Sequence, residues 1–313
     1  MLHPSDKNSF QETEELADKI ADAREKAAPE KSESYFQSVA RRFSKHKMGM
    51  LSLILLLLII IAAIAAPLIA PNDPDRIVGG FGKAPNEKFI LGTDLSGRDV
   101  FSRLLYGTRI SLLVGFLVTI ISTIVGVSLG LLSGFFGSFV DIIIMRFTDM
   151  VMSFPYLLLV LMAAAIFEPG MWNIILILGF VDWPGVARLV RGNVLSLKER
   201  PFIKRSIVQG MPRRHLLLTE ILPNTIAPIL IHATSVMAFS ILDEAALSFL
   251  GMGVQPPTAS LGNMLGDAKS ISILTNKPWL WVPPGLVIIL TVMAINFIGD
   301  ALRDAMDPTT SRS

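Results

Sequence analysis

Apolar residues in this chain are concentrated into long blocks separated by polar, basic or Pro/Gly-rich stretches. The first block, Met48–Ala70, holds Leu51 to Ile61 with Ser52 as its sole polar residue, and no charge falls between Lys47 and Asp73. A run of about 20 apolar residues is what crosses a hydrocarbon layer about 30 Å thick. Further blocks at 109–133, 151–168, 171–190, 225–250 and 282–300 give six candidate spans. Each must be helical, because a backbone surrounded by lipid has no water to bond. The fold class expected is therefore all-α integral membrane, with six transmembrane helices. A polar tail precedes the first block, which is also too long for a cleaved signal, so a retained span is expected there.

Composition agrees with that pattern. Charged residues make up 17% of the chain, below the roughly 25% of soluble domains, and mean hydropathy is +0.56. Net charge is only +2, so the placement of charge matters more than its sum. Arg41, Arg42, Lys45 and Lys47 precede the first span. Arg188, Arg191, Lys198, Arg200, Lys204, Arg205, Arg213 and Arg214 lie between the cores of the fourth and fifth spans, opposed by Glu199 and Glu220. Basic short loops stay in the cytoplasm. Six spans then put both ends inside, leaving 72–108 and 251–281 outside. The domains expected are a cytoplasmic tail 1–47, a six-helix domain 48–308 and a cytoplasmic end 309–313. Residues 1–35 mix both charges without an apolar face and read as a solvated tail.

Within the second span, Ser122, Gly126, Gly130 and Gly134 recur every fourth residue, a spacing that lets a neighbouring backbone approach closely. Packing inside the bundle and a subunit interface both fit. Before that span, Val100, Phe101, Leu104 and Leu105 follow helical spacing, with Arg98, Asp99 and Arg103 on another side. This predicts an amphipathic helix at the membrane surface, capped by Asp94 or Ser96. It serves either as an interfacial anchor or as a face for a protein that delivers substrate.

The insert 198–224 predicts two short helices bent at a glycine. Pro201 suits a first turn, and Phe202, Ile203, Ile207 and Val208 share one side while Lys204 and Arg205 take another. Gly210 can adopt the left-handed conformation that ends a helix, and Met211-Pro212 begins the next. An apolar helix face of this kind fits a partner's groove, or it rests on anionic lipid.

Enzymatic and metal chemistry find no support. The fragment nearest to a phosphate-binding loop, Gly82-Lys83, has Ile77 where the first glycine is needed and Ala84 where the hydroxyl belongs. His3, His46, His215 and His232 lack metal-ligand spacing, and the absence of cysteine excludes thiolate sites. No nucleic-acid partner is indicated.

Asp141, Arg146 and Asp149 flank the third span, where Arg146 can reach Asp149 on the next turn. Glu244, with Asp243 beside it, is placed either to meet a basic group or to bond the following external loop. Asp182-Trp183-Pro184-Gly185 interrupts the fourth span, and Pro184 is expected to kink it.

The run from Phe202 through Gly210 to Leu222-Pro223 resembles the cytoplasmic loop of ABC-importer permeases, with Lys204-Arg205-Ser206 standing in place of that loop's Glu-Ala-Ala. Four other stretches resemble the C-type permeases of peptide and nickel importers. They are Gly92-Thr93-Asp94-Leu95-Ser96-Gly97-Arg98-Asp99 with Arg103 and Tyr106-Gly107, then Asp141 to Asp149 with Pro155, then Glu244-Ala245-Ala246-Leu247-Ser248-Phe249-Leu250-Gly251 with Gln255-Pro256-Pro257, and last Gly299 to Pro308. Leu261 departs from the tryptophan expected before Gly262. The resemblance covers 48–308 and implies the type I ABC-importer permease fold in a bacterial plasma membrane. It also implies as partners a second homologous permease, two cytoplasmic ATPases and an extracytoplasmic peptide-binding protein. ATP and Mg would be held by the ATPases, with no cofactor in this chain. Residues implied for ATPase coupling are Phe202, Ile203, Lys204, Arg205, Ile207, Gly210 and Met211. Asp94, Gly97, Arg98, Asp99 and Arg103 form the external signature, and Glu244, Ser248, Arg146 and Asp149 are pathway or structural residues. A nickel or other small-solute permease, an ion-coupled carrier and an intramembrane enzyme are the alternatives. The ion-coupled carrier needs buried mid-span charges and the enzyme a catalytic constellation, and neither is evident.

Overall fold

The computed structural model describes residues 35–307. The expectations for residues 1–34 and for 308–313 lie outside the described residues. Of the two units into which the chain divides, Met1–Arg41 contributes the first residues of helix α1 (Tyr35–Lys45), and Arg42–Ser313 holds the rest.

The second unit is a bundle of long helices with no strands among the described residues, only two isolated bridges in the external segment. The long elements are α2 (Lys47–Ile64), α3 (Val100–Phe136), α4 (Ser138–Ser153), α5 (Tyr156–Ile166), α6 (Met171–Val181), α7 (Trp183–Lys198), α8 (Pro201–Val208), α9 (Leu222–Leu250) and α11 (Val282–Met306), with short α10 (Leu261–Gly266) between the last two. Among them, five segments are long and apolar enough to cross a membrane, and a sixth results if α4 and α5 count as one span bent by 89°. This matches the six expected spans, with a difference in the third. Pro155 caps α5 and supplies no N–H, so the ladder from α4 cannot continue through it.

α3 is the hub of the bundle. It packs against α7 most extensively, and also against α2, α4, α6, α9 and α10. The small-residue stripe explains that closeness. A side chain at Gly126 would collide with Val186 and the Trp183 carbonyl, at Gly130 with Ala187 and Val190, and at Gly134 with Val194 and the Arg191 carbonyl. The stripe is thus intrachain packing between α3 and α7.

Three local expectations are corrected. The amphipathic helix is not a separate element: residues from Val100 run on into the second span as one helix of 37 residues. Its cap is Asp99, whose carboxylate accepts from the Ser102 amide, because Asp94 is engaged in the preceding turn. The insert is not two short helices either. After Gly210 the chain enters Arg213–His215, passes a widened π segment at Leu216–Ile221, and continues without interruption into α9. Pro223 lacks the N–H that an α-helical ladder requires there, which accounts for the wider turn just before it. In the fourth span the break falls at Asp182, one residue before α7 begins, and Pro184 occupies α7's first turn.

Candidate functional site: a projecting knuckle and a buried clasp

On the side carrying the basic residues, α8 forms a short projecting element. Pro201 starts it, and Gly210 ends it with φ of +76°, a conformation that favours glycine. The reversal is closed by the Gly210 amide donating to the Ile207 carbonyl at 3.0 Å and the Met211 amide to the Ser206 carbonyl at 3.1 Å. Of the apolar residues expected on one face, Ile203 is fully buried, packed with Val190, Val194, Leu216 and Ile221 in the bundle's own core. Met211 packs partly against the same cluster. Phe202, Ile207 and Val208 are exposed, Val208 at 87%. Arg205 is exposed beside them, and Lys204 pairs with Glu199 at 2.8 Å. That pairing holds the Glu199 carboxyl below its usual range, first through the hydrogen bond from Lys204 and then through its charge.

The same side carries an ion-pair frame between α4 and α7. Arg191 grips Asp141 with two parallel bonds of 2.6 and 2.7 Å, and Ser133 donates to the same carboxylate. Arg188 reaches Asp149 at 2.8 Å. The expected Arg146–Asp149 pair is therefore not formed. Asp149 faces α7, whereas Arg146 is exposed and has no ion-pair partner among the described residues. Lys198 donates to the carbonyls of Gly134 and Phe135, satisfying the end of α3 as a cation does at a helix C-terminus.

The external signature folds into a clasp. Asp94 accepts from the amides of Ser96 and Arg98, both at 2.8 Å, and from the Arg98 guanidinium at 2.7 Å. Gly97 at φ of +82° permits the turn. Arg103 is 3% exposed; it lies 3.4 Å from Asp94 and donates to the carbonyls of Pro74 and Pro257. One guanidinium thus ties the loop before α3 to the loop after α9. Burial, reinforced by the Asp94 charge, pushes the Asp267 carboxyl above its usual range in the second loop.

Glu244 proves internal. It is fully buried and accepts from Ser111 at 2.6 Å and Ser248 at 2.7 Å. Ser111 accepts in turn from the Leu261 amide and Ser248 from the Val254 amide. The carboxylate therefore joins α3, α9 and the start of the second external loop. Sequence reasoning weighed Glu244 and passed over its neighbour Asp243, which accepts from the Tyr156 hydroxyl at 2.8 Å across the bundle. The Asp182 interruption in the fourth span was the available signal for that side of the molecule.

Residues 126–312 match the family described as the binding-protein-dependent transport system inner membrane component, and residues 34–86 match the N-terminal TM domain of oligopeptide transport permease C. The chain is 42% identical over 270 residues to a putative peptide permease protein of Brucella suis, covering 86% of this chain and 89% of that one. Two proteins of Haemophilus influenzae are also similar. A dipeptide transport system permease is 39% identical, covering 85% of this chain and 92% of its own. An oligopeptide transport system permease is 37% identical, at 95% and 96% coverage. The crystal structure of an amino acid ABC transporter with histidines matches with a TM-score of 0.50 at 14% identity, over 64% of this chain and 92% of that one. At that identity the likeness is one of fold.

Proposed function

This chain belongs to the inner-membrane components of binding-protein-dependent transport systems, and from that premise we propose that it forms half of the pathway of an ATP-driven peptide importer. It is a multi-pass membrane subunit without a phosphate-binding loop. Energy therefore comes from partner ATPases that hold the ATP and Mg, and cargo arrives from an extracytoplasmic binding protein. A second, homologous permease completes the pathway. The basic loops support a reading in which the α8 side and both chain ends face the cytoplasm. The names of the relatives support peptides as cargo.

The observation that carries this reading is the double character of α8. Ile203 is fixed in the core while Phe202, Ile207 and Val208 face outward beside Lys204 and Arg205. The outer residues fit an apolar groove on an ATPase with acidic groups at its edge. The inner residue hands any displacement to α7 and the start of α9. The ATPases then need to favour one permease state by only a few kcal/mol to shift its population decisively. Externally, the clasp holds two loops in fixed relation so that a binding protein meets a formed surface. Its charges are spent internally, and exposed neighbours such as Leu95 and Ser96 are left to make contact.

Replacing Gly210 with valine tests the coupling role. The left-handed backbone there costs a β-branched residue roughly 1–2 kcal/mol, and the space around it is open, so the strain falls on the knuckle. In proteoliposomes holding the full complex, ATP-dependent peptide uptake is expected to fall while the bundle stays folded. Unchanged uptake with unchanged ATPase association would remove the coupling role.

A further inference from the structure

A cavity of about 510 Å³ opens between the third, fourth and fifth spans. This falls within the range of roughly 300–1,000 Å³ typical of small-molecule sites. Its lining is largely apolar, including Phe154, Val236 and Phe239, and its polar groups converge: Tyr156, Asp182, His232 and Asp243. The cavity sits where the chain is least regular. The α4–α5 pair turns by 89° beside it, and the fourth span is interrupted at Asp182 itself. Irregular backbone at membrane depth is tolerated where it lines a cavity, and ionisable groups there mark functional positions.

The cavity is short of donors and of positive charge. No lysine or arginine lines it. The Tyr156 hydroxyl has one proton, which it donates to Asp243 at 2.8 Å, and Asp182 lines the same cavity. One phenolic proton cannot satisfy two carboxylates, and a neutral imidazole adds a single N–H. An ammonium group brings three donors and a charge. A bare metal ion fits less well: a hard divalent cation such as calcium seeks roughly 6–8 oxygens, and the cavity offers two carboxylates and a phenol.

We propose that this cavity is a station on the pathway that receives a primary ammonium group between Asp182 and Asp243, with the apolar wall left to accept varied side chains. Resting on the reading of this chain as a peptide permease, it assigns that ammonium to the peptide's own N-terminus, a feature shared by unmodified peptides that do not begin with proline. Tyr156 positions Asp243, and the two carboxylates are the binding groups.

The test uses the full complex with its binding protein in proteoliposomes, comparing uptake of trialanine and N-acetyl-trialanine, and uses binding-protein-stimulated ATP hydrolysis as a second readout. Loss of one charge-assisted hydrogen bond corresponds to about a tenfold change. Asp182→Asn and Asp243→Asn are each expected to slow trialanine uptake about tenfold, erase the preference for trialanine over its acetylated form, and leave stimulated ATP hydrolysis intact, with Asp243→Glu recovering most of the uptake. The proposal is overturned if the variants keep the wild-type preference, or if trialanine uptake is unchanged. It is also overturned if uptake and ATP hydrolysis fall together with the preference retained, which marks a structural role. Failure of the wild-type complex to import either peptide would instead strike at the peptide reading itself.

Discussion

The clasp and the knuckle are built from similar residue types and treat them in opposite ways. In the clasp, Asp94, Asp99 and Arg103 are all at most 3% exposed, and their hydrogen bonds run to the chain's own backbone and to the side chains of Arg98 and Ser102. In the knuckle, the Lys204–Glu199 pair, Arg205 and three large apolar residues stand in solvent. The first arrangement stabilises the chain by itself. The second leaves apolar area that the chain itself does not cover. The two acids that report this most directly shift in opposite directions: burial pushes Asp267 up near the clasp, and Lys204 pulls Glu199 down at the knuckle.

This contrast is easiest to break at Arg103. Removing one member of a buried ion pair costs about 3–5 kcal/mol, so Arg103→Met should lower the thermal unfolding temperature in detergent sharply, whereas Lys204→Met should leave it unmoved. Equal effects would mean that the clasp is no more structural than the knuckle. Next in size is the α3–α7 contact. Gly130→Leu forces a side chain against Val190 and the Ala187 carbonyl, and overpacking of this kind costs about 1–3 kcal/mol. The same unfolding measurement reads it. Exchanging Phe202 and Val208 together for serine should spare stability but weaken co-purification of the ATPases about tenfold, which corresponds to about 1.4 kcal/mol. The smallest effect is electrostatic. Because burial raises the Asp267 pKa in the folded chain, its favourable contribution is complete at pH below the ordinary carboxylate range and is lost as pH rises through the folded value. Asp267→Asn should therefore flatten the decline in unfolding temperature from acidic to neutral pH, leaving the two proteins alike at the acid end.

Much of the fold was readable because lipid demands long apolar helices and the chain supplies them in blocks. Boundaries were read less well, since helices continue past the apolar core. Val100–Thr108 and Arg213–Asn224 carry polar residues yet belong to the second and fifth spans. Periodicity identified Ile203 as apolar but could not say that it turns inward while Phe202 and Ile207 turn outward, because that depends on the height at which α8 meets α7. The choice of Arg188 over Arg146 as partner to Asp149 is likewise tertiary. The two carboxylates of the cavity lie 61 positions apart in the chain, Asp182 and Asp243, and only the packing of the fourth and fifth spans brings them to one cavity.

The buried Ile203 also bears on evolution. A surface that must match a foreign protein can change its outer residues freely, provided its root is held. In the proposed coupling role, Phe202, Lys204, Arg205, Ile207 and Val208 could change with the partner ATPase, while Ile203 beneath them, with Met211 beside it, holds the element to the bundle. A subunit made this way could exchange one motor for another by altering a few side chains, without any rebuilding of the bundle that carries the cargo.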